Sequence, residues 1–274
     1  MTSTTLQLSE PYGPAACRVD GTGEVLLLIH GVGMQSAAWA PQIAALSGRC
    51  RVIAADMPGH GGSAPLPAGA KLPDYLDWLD AVLDALGLDA VNLAGHSMGA
   101  MIAGGYAMTR PERVLRVALL NAVHRRSPEA RAAVEARAAV IRDGRMDLET
   151  PLSRWFGRSA AEQAAQAQVA GWLANVDPDG YAAAYGAFAR GDATYADGWP
   201  QVACPMLALT GGDDPNSTPA MAAEMAQAAR NGQAVAIAGH RHMVNLTAPD
   251  VVNAHLQEWL ARPAADPAER KETA

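Results

Sequence analysis

The sequence lacks any apolar run that approaches the roughly 18 residues needed to span a bilayer. Its longest apolar run, around Val25 to Ile29, has only the length of a strand. The segment from Met1 to Leu8 is polar and has no basic region followed by an apolar stretch, so we expect no secretory signal there. The sequence therefore predicts no membrane partner.

Cysteine and positive charge are also scarce. Cys17, Cys50 and Cys204 are odd in number and far apart, which indicates neither a disulfide framework nor a metal site and favours a cytoplasmic location. The chain has 21 Lys and Arg residues against 28 Asp and Glu, a net charge of -7. Because phosphate binding requires a basic face, we expect no nucleic-acid partner. The oligomeric state stays open, a homo-oligomer included.

The 274 residues are 50% hydrophobic and 18% charged, which is typical of a globular chain with one sizeable core. Short apolar runs with little alternation suit strands buried on both faces. They lie at 25–29, 51–55, 90–94, 114–120, 206–210 and 234–238. Helical patterns lie between them at 75–86, 98–108, 219–229 and 249–261. Strands that alternate with helices predict an α/β fold with a doubly wound, mainly parallel sheet.

This alternation stops between residues 122 and 199. The segment is rich in alanine and arginine and shows helical patterns but no convincing strand; the patterns cover 128–142, 159–174 and 178–190. We predict a helical cap at 122–199, inserted into a core formed by 1–121 and 200–262. The polar residues 263–274 are expected to form a frayed tail.

The segment Gly95-His96-Ser97-Met98-Gly99 has the pattern G-x-S-x-G between a predicted strand and a helix rich in small residues. This context indicates a nucleophile elbow, a tight turn that lifts the serine hydroxyl above the sheet. Side chains at the two glycine positions would clash in such a turn. A loop with a chance match is the alternative, so the prediction of Ser97 as nucleophile depends on this context.

A second glycine-rich turn, His30-Gly31-Val32-Gly33, follows an earlier predicted strand. The backbone N–H groups of Val32 and Met98 are the candidate donors of an oxyanion hole, for which the side chains need not be polar. The alternative interpretation is an ordinary turn.

A catalytic serine requires a base and a carboxylate that orients it. Asp213 and Asp214 follow the predicted strand at 206–210, and His240 and His242 follow the last one. Ligands of doubly wound sheets bind at the carboxyl ends of the strands, so both pairs are well placed. The residues alone leave the choice within each pair open.

With these motifs the sequence resembles the α/β-hydrolase superfamily over almost the whole chain outside the predicted cap. In that superfamily the acid follows the strand-ending glycine by three residues, which from Gly211 implies Asp214. The histidine precedes the proline of the last helix by seven residues, which from Pro249 implies His242. The usual Gly-x-Gly-His lead-in reads Gly239-His240-Arg241-His242 here, a departure from the pattern.

Other histidines fit structural roles. The segment 56–63 resembles the superfamily's D-x-x-G-x-G-x-S loop, which is structural, so the resemblance implies no catalytic role for His60. His96 precedes the predicted nucleophile, and we interpret it as structural because neutral histidines often satisfy local hydrogen bonds.

Positive charge is concentrated in the predicted cap. Residues 124–158 contain eight arginines and five acids, a local net charge of +3. Arg125, Arg126 and Arg154 are the candidates to bind a substrate carboxylate, because the guanidinium fork binds carboxylates in a bidentate manner. Arg154 is the first choice and Arg125 the second, and Trp155, beside Arg154, is also predicted to contact the substrate. A solvated helix face is the alternative.

The predicted activity is that of a serine hydrolase acting on a small molecule, with no cofactor and no metal. The segments 153–157 and 180–185 resemble parts of 3-oxoadipate enol-lactonases. This implies cleavage of a carboxylate-bearing ester or enol-lactone through an acyl-enzyme. Alternatives are a C–N hydrolase of an enamide such as an (acylaminomethylene)succinate, a C–C hydrolase of a ring-fission product, and a non-catalytic ligand-binding module.

Overall fold

Apolar runs form the centre of a single sheet in the computed structural model, which describes residues 1–145 and 147–265. Of the predicted tail, residues 266–274 lie outside this range. The strands are β1 (Thr2–Gln7), β2 (Pro14–Asp20), β3 (Val25–Ile29), β4 (Arg51–Ala55), β5 (Val91–His96), β6 (Val114–Leu120), β7 (Met206–Gly211) and β8 (Gly232–Ile237).

The strand order is β1-β2-β4-β3-β5-β6-β7-β8. All neighbours from β4 to β8 pair in parallel, whereas β2 is antiparallel to both β1 and β4. The predicted α/β fold with a mainly parallel sheet is therefore confirmed. Our strand prediction missed β1 and β2, because β1 is largely exposed and neither strand contains a continuous apolar run.

Helices cover both faces of the sheet. They are α1 (Ala40–Leu46), α2 (Leu72–Ala85), α3 (Met98–Thr109), α4 (Pro128–Arg142), α5 (Glu149–Trp155), α6 (Ala160–Ala174), α7 (Pro178–Gly191), α8 (Pro219–Ala228), α9 (Val244–Thr247) and α10 (Pro249–Leu260). The prediction missed the short helices α1, α5 and α9. None of the helices in the described ranges has the length and apolar character required to cross a membrane.

The central strands are buried on both faces. In β3, Leu27 and Ile29 pack into the core layer that contains α2 and α3, whereas Leu26 and Leu28 pack into the layer that contains α1 and α10. All four side chains are fully buried. Each contributes about 1.5–3 kcal/mol relative to an exposed side chain, which explains why these strands read as continuous apolar runs.

The segment 122–199 contains α4 to α7 and lies between β6 and β7 along the chain, with no strand among its described residues. Its division from the core at the predicted boundaries stays a prediction. Where it meets the loop after β4, a Cβ added to Gly180 would lie 2.5 Å from the Cα of Gly59. The two backbones are therefore in direct contact, with no room for a side chain between them.

Because of this contact, we expect Gly→Ala substitutions at two helical glycines, Gly180 and Gly171, to change the free energy of unfolding in opposite directions. Gly180→Ala should lower the free energy of unfolding by about 1–3 kcal/mol, because one backbone must move to admit the methyl group. Gly171→Ala, in α6, faces open space and should raise it by about 0.5–1 kcal/mol through helix propensity. Urea denaturation of both variants measures the difference. Equal stability of the two would contradict the close approach.

Candidate active site

A strained turn places Ser97 between β5 and α3. Its backbone has φ 54° and ψ -113°, a conformation that residues other than glycine rarely adopt. A Cβ on Gly95 would overlap the carbonyl group of Gly99, and one on Gly99 would overlap the carbonyl oxygen of Ile29. The glycines thus permit the close packing that holds the serine in this conformation.

Ser97, His242 and Asp214 form a continuous chain of hydrogen bonds. The Ser97 Oγ lies 3.0 Å from His242 Nε2, and His242 Nδ1 lies 2.7 Å from Asp214 Oδ2. All three residues are buried, with exposures of 3–4%. An imidazole that donates from Nδ1 to the carboxylate has Nε2 available to accept the serine proton.

His240 and Asp213, the other members of the two predicted pairs, do not contact Ser97. The ring of His240 contacts Thr247 Oγ1 at 3.0 Å, and Asp213 is exposed, while its backbone N–H donates to the His240 carbonyl at 2.9 Å. The structure therefore brings Asp214 and His242, but not their neighbours, to Ser97.

Asn121, which the sequence analysis missed, also contacts the acid. Its Nδ2 donates to Asp214 Oδ2 at 2.8 Å, and the Asn216 N–H donates to the other carboxylate oxygen at 2.8 Å. Burial raises the pKa of Asp214, but the nearby His242 ring and these hydrogen bonds more than offset it, so the pKa lies below its usual value. The only sequence signal for Asn121 was its place directly after β6.

Two buried histidines hold the backbone around the site. The His96 Nε2–H donates to the carbonyl oxygen of His242 at 2.8 Å, and His60 Nε2 accepts the Gly33 N–H at 2.9 Å. Burial, together with a neighbouring imidazole, lowers the pKa of each ring to about 3. Both rings are therefore neutral near pH 7, and these contacts support their structural interpretation.

The predicted oxyanion donors lie on either side of Ser97. In the turn after β3, Gly33 N–H donates to His60 and Met34 N–H donates to the Gly31 carbonyl, so neither donor is available. The Val32 N–H has no acceptor within the ranges that the structure describes, and Val32 lines the cavity beside Ser97. Met98 is the first residue of α3, where backbone N–H groups lack intrahelical acceptors.

A cavity of about 180 Å³ opens above Ser97 and His242. The Trp155 ring stacks on His242, with 5.8 Å between ring centroids and 28° between planes. Most of the other lining side chains are apolar, among them Val123, Val134, Tyr185, Phe188 and Met221. Its size and lining suit a small molecule rather than a polymer.

Three arginines, Arg126, Arg137 and Arg154, are the charged residues among those that line this cavity. Arg154, at the end of α5, was predicted there together with Trp155, and it has no ion pair among the described residues. Arg137 donates to the Asp147 carbonyl at 2.7 Å. Arg126 was among the arginines that the sequence offered for a substrate carboxylate, whereas Arg137 was missed, because its sequence pattern is the same as that of surface arginines in the segment.

The structure does not bring Arg125, the second predicted substrate contact, to the cavity. Its half-exposed side chain forms an ion pair with Asp197 and does not line the cavity. Its backbone has a positive φ of 45°, and the side chain of the next residue, Arg126, lines the cavity instead. Arg126 Nη1 lies 3.2 Å from the buried Asp192, while its buried Nη2 has no hydrogen-bond partner within the described ranges.

Comparison with known proteins agrees with the fold. A family model described as the alpha/beta hydrolase fold matches residues 24–249. An Acinetobacter baylyi protein, (E)-2-((N-methylformamido)methylene)succinate hydrolase, is 52% identical over 260 residues, which is 95% of this chain and 98% of its own.

Two solved structures are similar over most of the chain. An esterase from Thermogutta terrifontis, solved with malate bound, is 27% identical with a TM-score of 0.85, and the match covers 95% of this chain and 98% of the esterase. An enol-lactonase from Burkholderia xenovorans is 26% identical with a TM-score of 0.80, over 92% of this chain and 100% of the lactonase. The chain therefore belongs to the α/β-hydrolase fold family, and it is a hydrolase.

Proposed function

We propose that this hydrolase cleaves the amide C–N bond of an (acylaminomethylene)succinate, a small enamide with two carboxylates. The observation that carries the proposal is the small cavity in which three arginines face the same space as Ser97 and His242. The Acinetobacter baylyi relative, matched over nearly its full length, is named for such a substrate. The bond type thus follows the first alternative of the sequence analysis, the C–N hydrolase, rather than its main prediction.

In the first half of the proposed reaction, Ser97 Oγ attacks the acyl carbonyl carbon while His242 Nε2 accepts the serine proton. The oxyanion accepts hydrogen bonds from the Val32 and Met98 N–H groups. Collapse of the tetrahedral intermediate breaks the C–N bond. The enamine nitrogen leaves with the proton from His242, and the acyl group stays on Ser97.

In the second half, His242 removes a proton from water, which attacks the acyl-serine. The new tetrahedral intermediate expels Ser97 Oγ, which recovers its proton from His242. An N-formyl substrate thus gives formate and an enamine diacid. Asp214 remains ionised throughout, because its low pKa favours the carboxylate that stabilises the imidazolium.

Substrate carboxylates are proposed to bind Arg126 and Arg154. The partnerless Nη2 of Arg126 is a buried donor, and a buried donor is costly unless a ligand satisfies it. Arg154 is exposed and has no ion pair in the described residues, so its guanidinium can form a bidentate pair. Malate, the molecule bound in the Thermogutta terrifontis esterase structure, is also a dicarboxylate.

Hydrolysis of a carboxylate-bearing ester or enol-lactone is the second candidate function. It was our first sequence-based choice, and the structural similarity to the Burkholderia xenovorans enol-lactonase favours it. The same serine, histidine and oxyanion donors would act, and the leaving atom of the substrate would be oxygen instead of nitrogen. Relative kcat/KM values for enamide diacids and enol-lactones decide between the two.

Ser97→Ala should lower kcat by about 10⁴-fold or more, because the remaining histidine has no nucleophile to activate. The assay is formate release from (E)-2-((N-methylformamido)methylene)succinate. Circular dichroism should show an unchanged fold, and a fluorophosphonate probe should label the wild type but not the variant. Turnover within tenfold of wild type would remove Ser97 as the nucleophile.

His242→Ala should be nearly inactive, whereas His240→Ala should retain most of its kcat, because only the His242 ring reaches Ser97. Asp214→Asn should likewise lose far more activity than Asp213→Asn. The four variants are compared by kcat at pH 7.5 on the same substrate. If His240→Ala and Asp213→Asn were the inactive pair, the proposed base and acid would be wrong.

Arg154→Ala should lower kcat/KM for the diacid by roughly 10–100-fold, since a hydrogen bond to a charged group contributes about 1.5–3 kcal/mol. Arg154→Lys should recover part of this loss, because it retains charge but not the fork. Arg125→Ala is the matched control and should behave as wild type. A neutral p-nitrophenyl ester should be insensitive to all three substitutions. Equal losses on neutral and acidic substrates would contradict carboxylate binding.

A further inference from the structure

Arg241 is the residue at which the histidine loop departs from the glycine lead-in of the resembled superfamily. It precedes His242, and its own carbonyl oxygen accepts a hydrogen bond from Asn121 Nδ2 at 3.3 Å. Its side chain is partly buried and is not part of the cavity lining. The guanidinium therefore does not contact a substrate in the cavity, and the catalytic steps above do not use it.

The Arg241 guanidinium binds the end of α5. Its Nη1 donates to the carbonyl oxygens of Ser153 and Phe156, each at 3.0 Å. Carbonyl groups at the end of a helix lack intrahelical donors and carry partial negative charge, so a cation is a suitable partner. Arg241 forms no ion pair in the described part of the chain, and these two carbonyls are the partners of its side chain.

The two bound carbonyls flank two of the three residues of α5 that line the cavity, the third being Pro151. Arg154 and Trp155 lie between Ser153 and Phe156 in sequence, and both line the cavity. The Trp155 ring also stacks on His242, the residue that follows Arg241. A single guanidinium thus joins the loop of the proposed base to the part of the cap that supplies an aromatic wall and a positive charge.

We infer that Arg241 is a positioning residue for substrate specificity, which holds Arg154 and Trp155 in place relative to His242. The expected kinetic effect rests on the proposed function, whereas the contact between Arg241 and α5 does not depend on the substrate. Without the two hydrogen bonds, α5 is held to the histidine loop more weakly, through the stacking of Trp155 on His242. Arg154 is then no longer held at the distance a bound carboxylate requires, while Ser97, His242 and Asp214 keep their own contacts.

The kinetic test compares Arg241→Met and Arg241→Lys with wild type. Arg241→Met should lower kcat/KM for the enamide diacid on the order of tenfold to a hundredfold, mainly through KM, since small displacements of binding groups have effects of this size. Its kcat/KM for p-nitrophenyl acetate should stay within about threefold of wild type, because that ester needs no arginine. Arg241→Lys should recover part of the loss. The control is Arg230→Met, which removes an arginine that binds the Pro200 carbonyl. It should leave kcat/KM for both substrates unchanged.

Hydrogen exchange measured by mass spectrometry tests the contact without any substrate. Peptides that cover 149–157 should exchange faster in Arg241→Met than in wild type, whereas peptides from β5 and β7 should not change. Unchanged exchange at 149–157, or equal kinetic losses on the neutral and acidic substrates, would overturn the inference. Absence of diacid turnover by the wild type, with faster exchange in the variant, would instead remove the proposed function and leave the positioning contact supported.

Discussion

The position of the His242 ring is the constraint on which the rest of the site depends, since one imidazole must reach Ser97 and Asp214 at once. The parallel sheet makes this possible. His96 pairs with Leu120, and Leu120 pairs with Leu209, so β5 and β6 end at the same level and β7 ends two residues further on. Their carboxyl ends therefore present Ser97, Asn121 and the Asp214 loop at one edge of the sheet.

Buried polar contacts then remove the freedom that these loops would otherwise have. His96 fixes the backbone of His242, His60 fixes the turn that carries Val32, and Asn121 fixes the carboxylate. Each histidine does this as a neutral ring, because burial lowers its pKa to about 3. These buried hydrogen bonds hold donors and acceptors in place before a substrate arrives, although the buried Oδ1 of Asn121 has no partner among the described residues.

The cap contributes a different kind of interaction. Three of its arginines line a mainly apolar cavity. Water competes less for a carboxylate there, so an ion pair between a carboxylate and a guanidinium is stronger than at the surface. Arg126 combines a buried ion pair with Asp192 and a position 4.3 Å above the Phe188 ring. In the proposed reaction, the core supplies the groups for acyl transfer, and the segment 122–199 supplies the arginines proposed to bind substrate carboxylates. The two parts meet at Arg241 and at the close backbone contact of Gly59 with Gly180.

Local sequence determined the strands, helices and turns whose pattern is contained within a few neighbouring residues. Six strands and most helices followed from apolar runs and periodicity, and Ser97 followed from the glycines that its turn requires. The choice of Asp214 and His242 used spacings implied by the family resemblance, and the structure places both beside Ser97. The strands β1 and β2 were missed because an edge of the sheet does not need continuous apolar runs.

Only the tertiary structure decided which polar residues meet across the chain. Asn121 reaches Asp214 through the pairing of β6 with β7, and Arg241 reaches α5 through the docking of the cap. Arg125 and Arg126 are identical neighbours in sequence, yet one side chain binds Asp197 and the other lines the cavity. The physical reason is that residue type sets what a side chain can bind. The backbone path set by distant packing determines what it does bind.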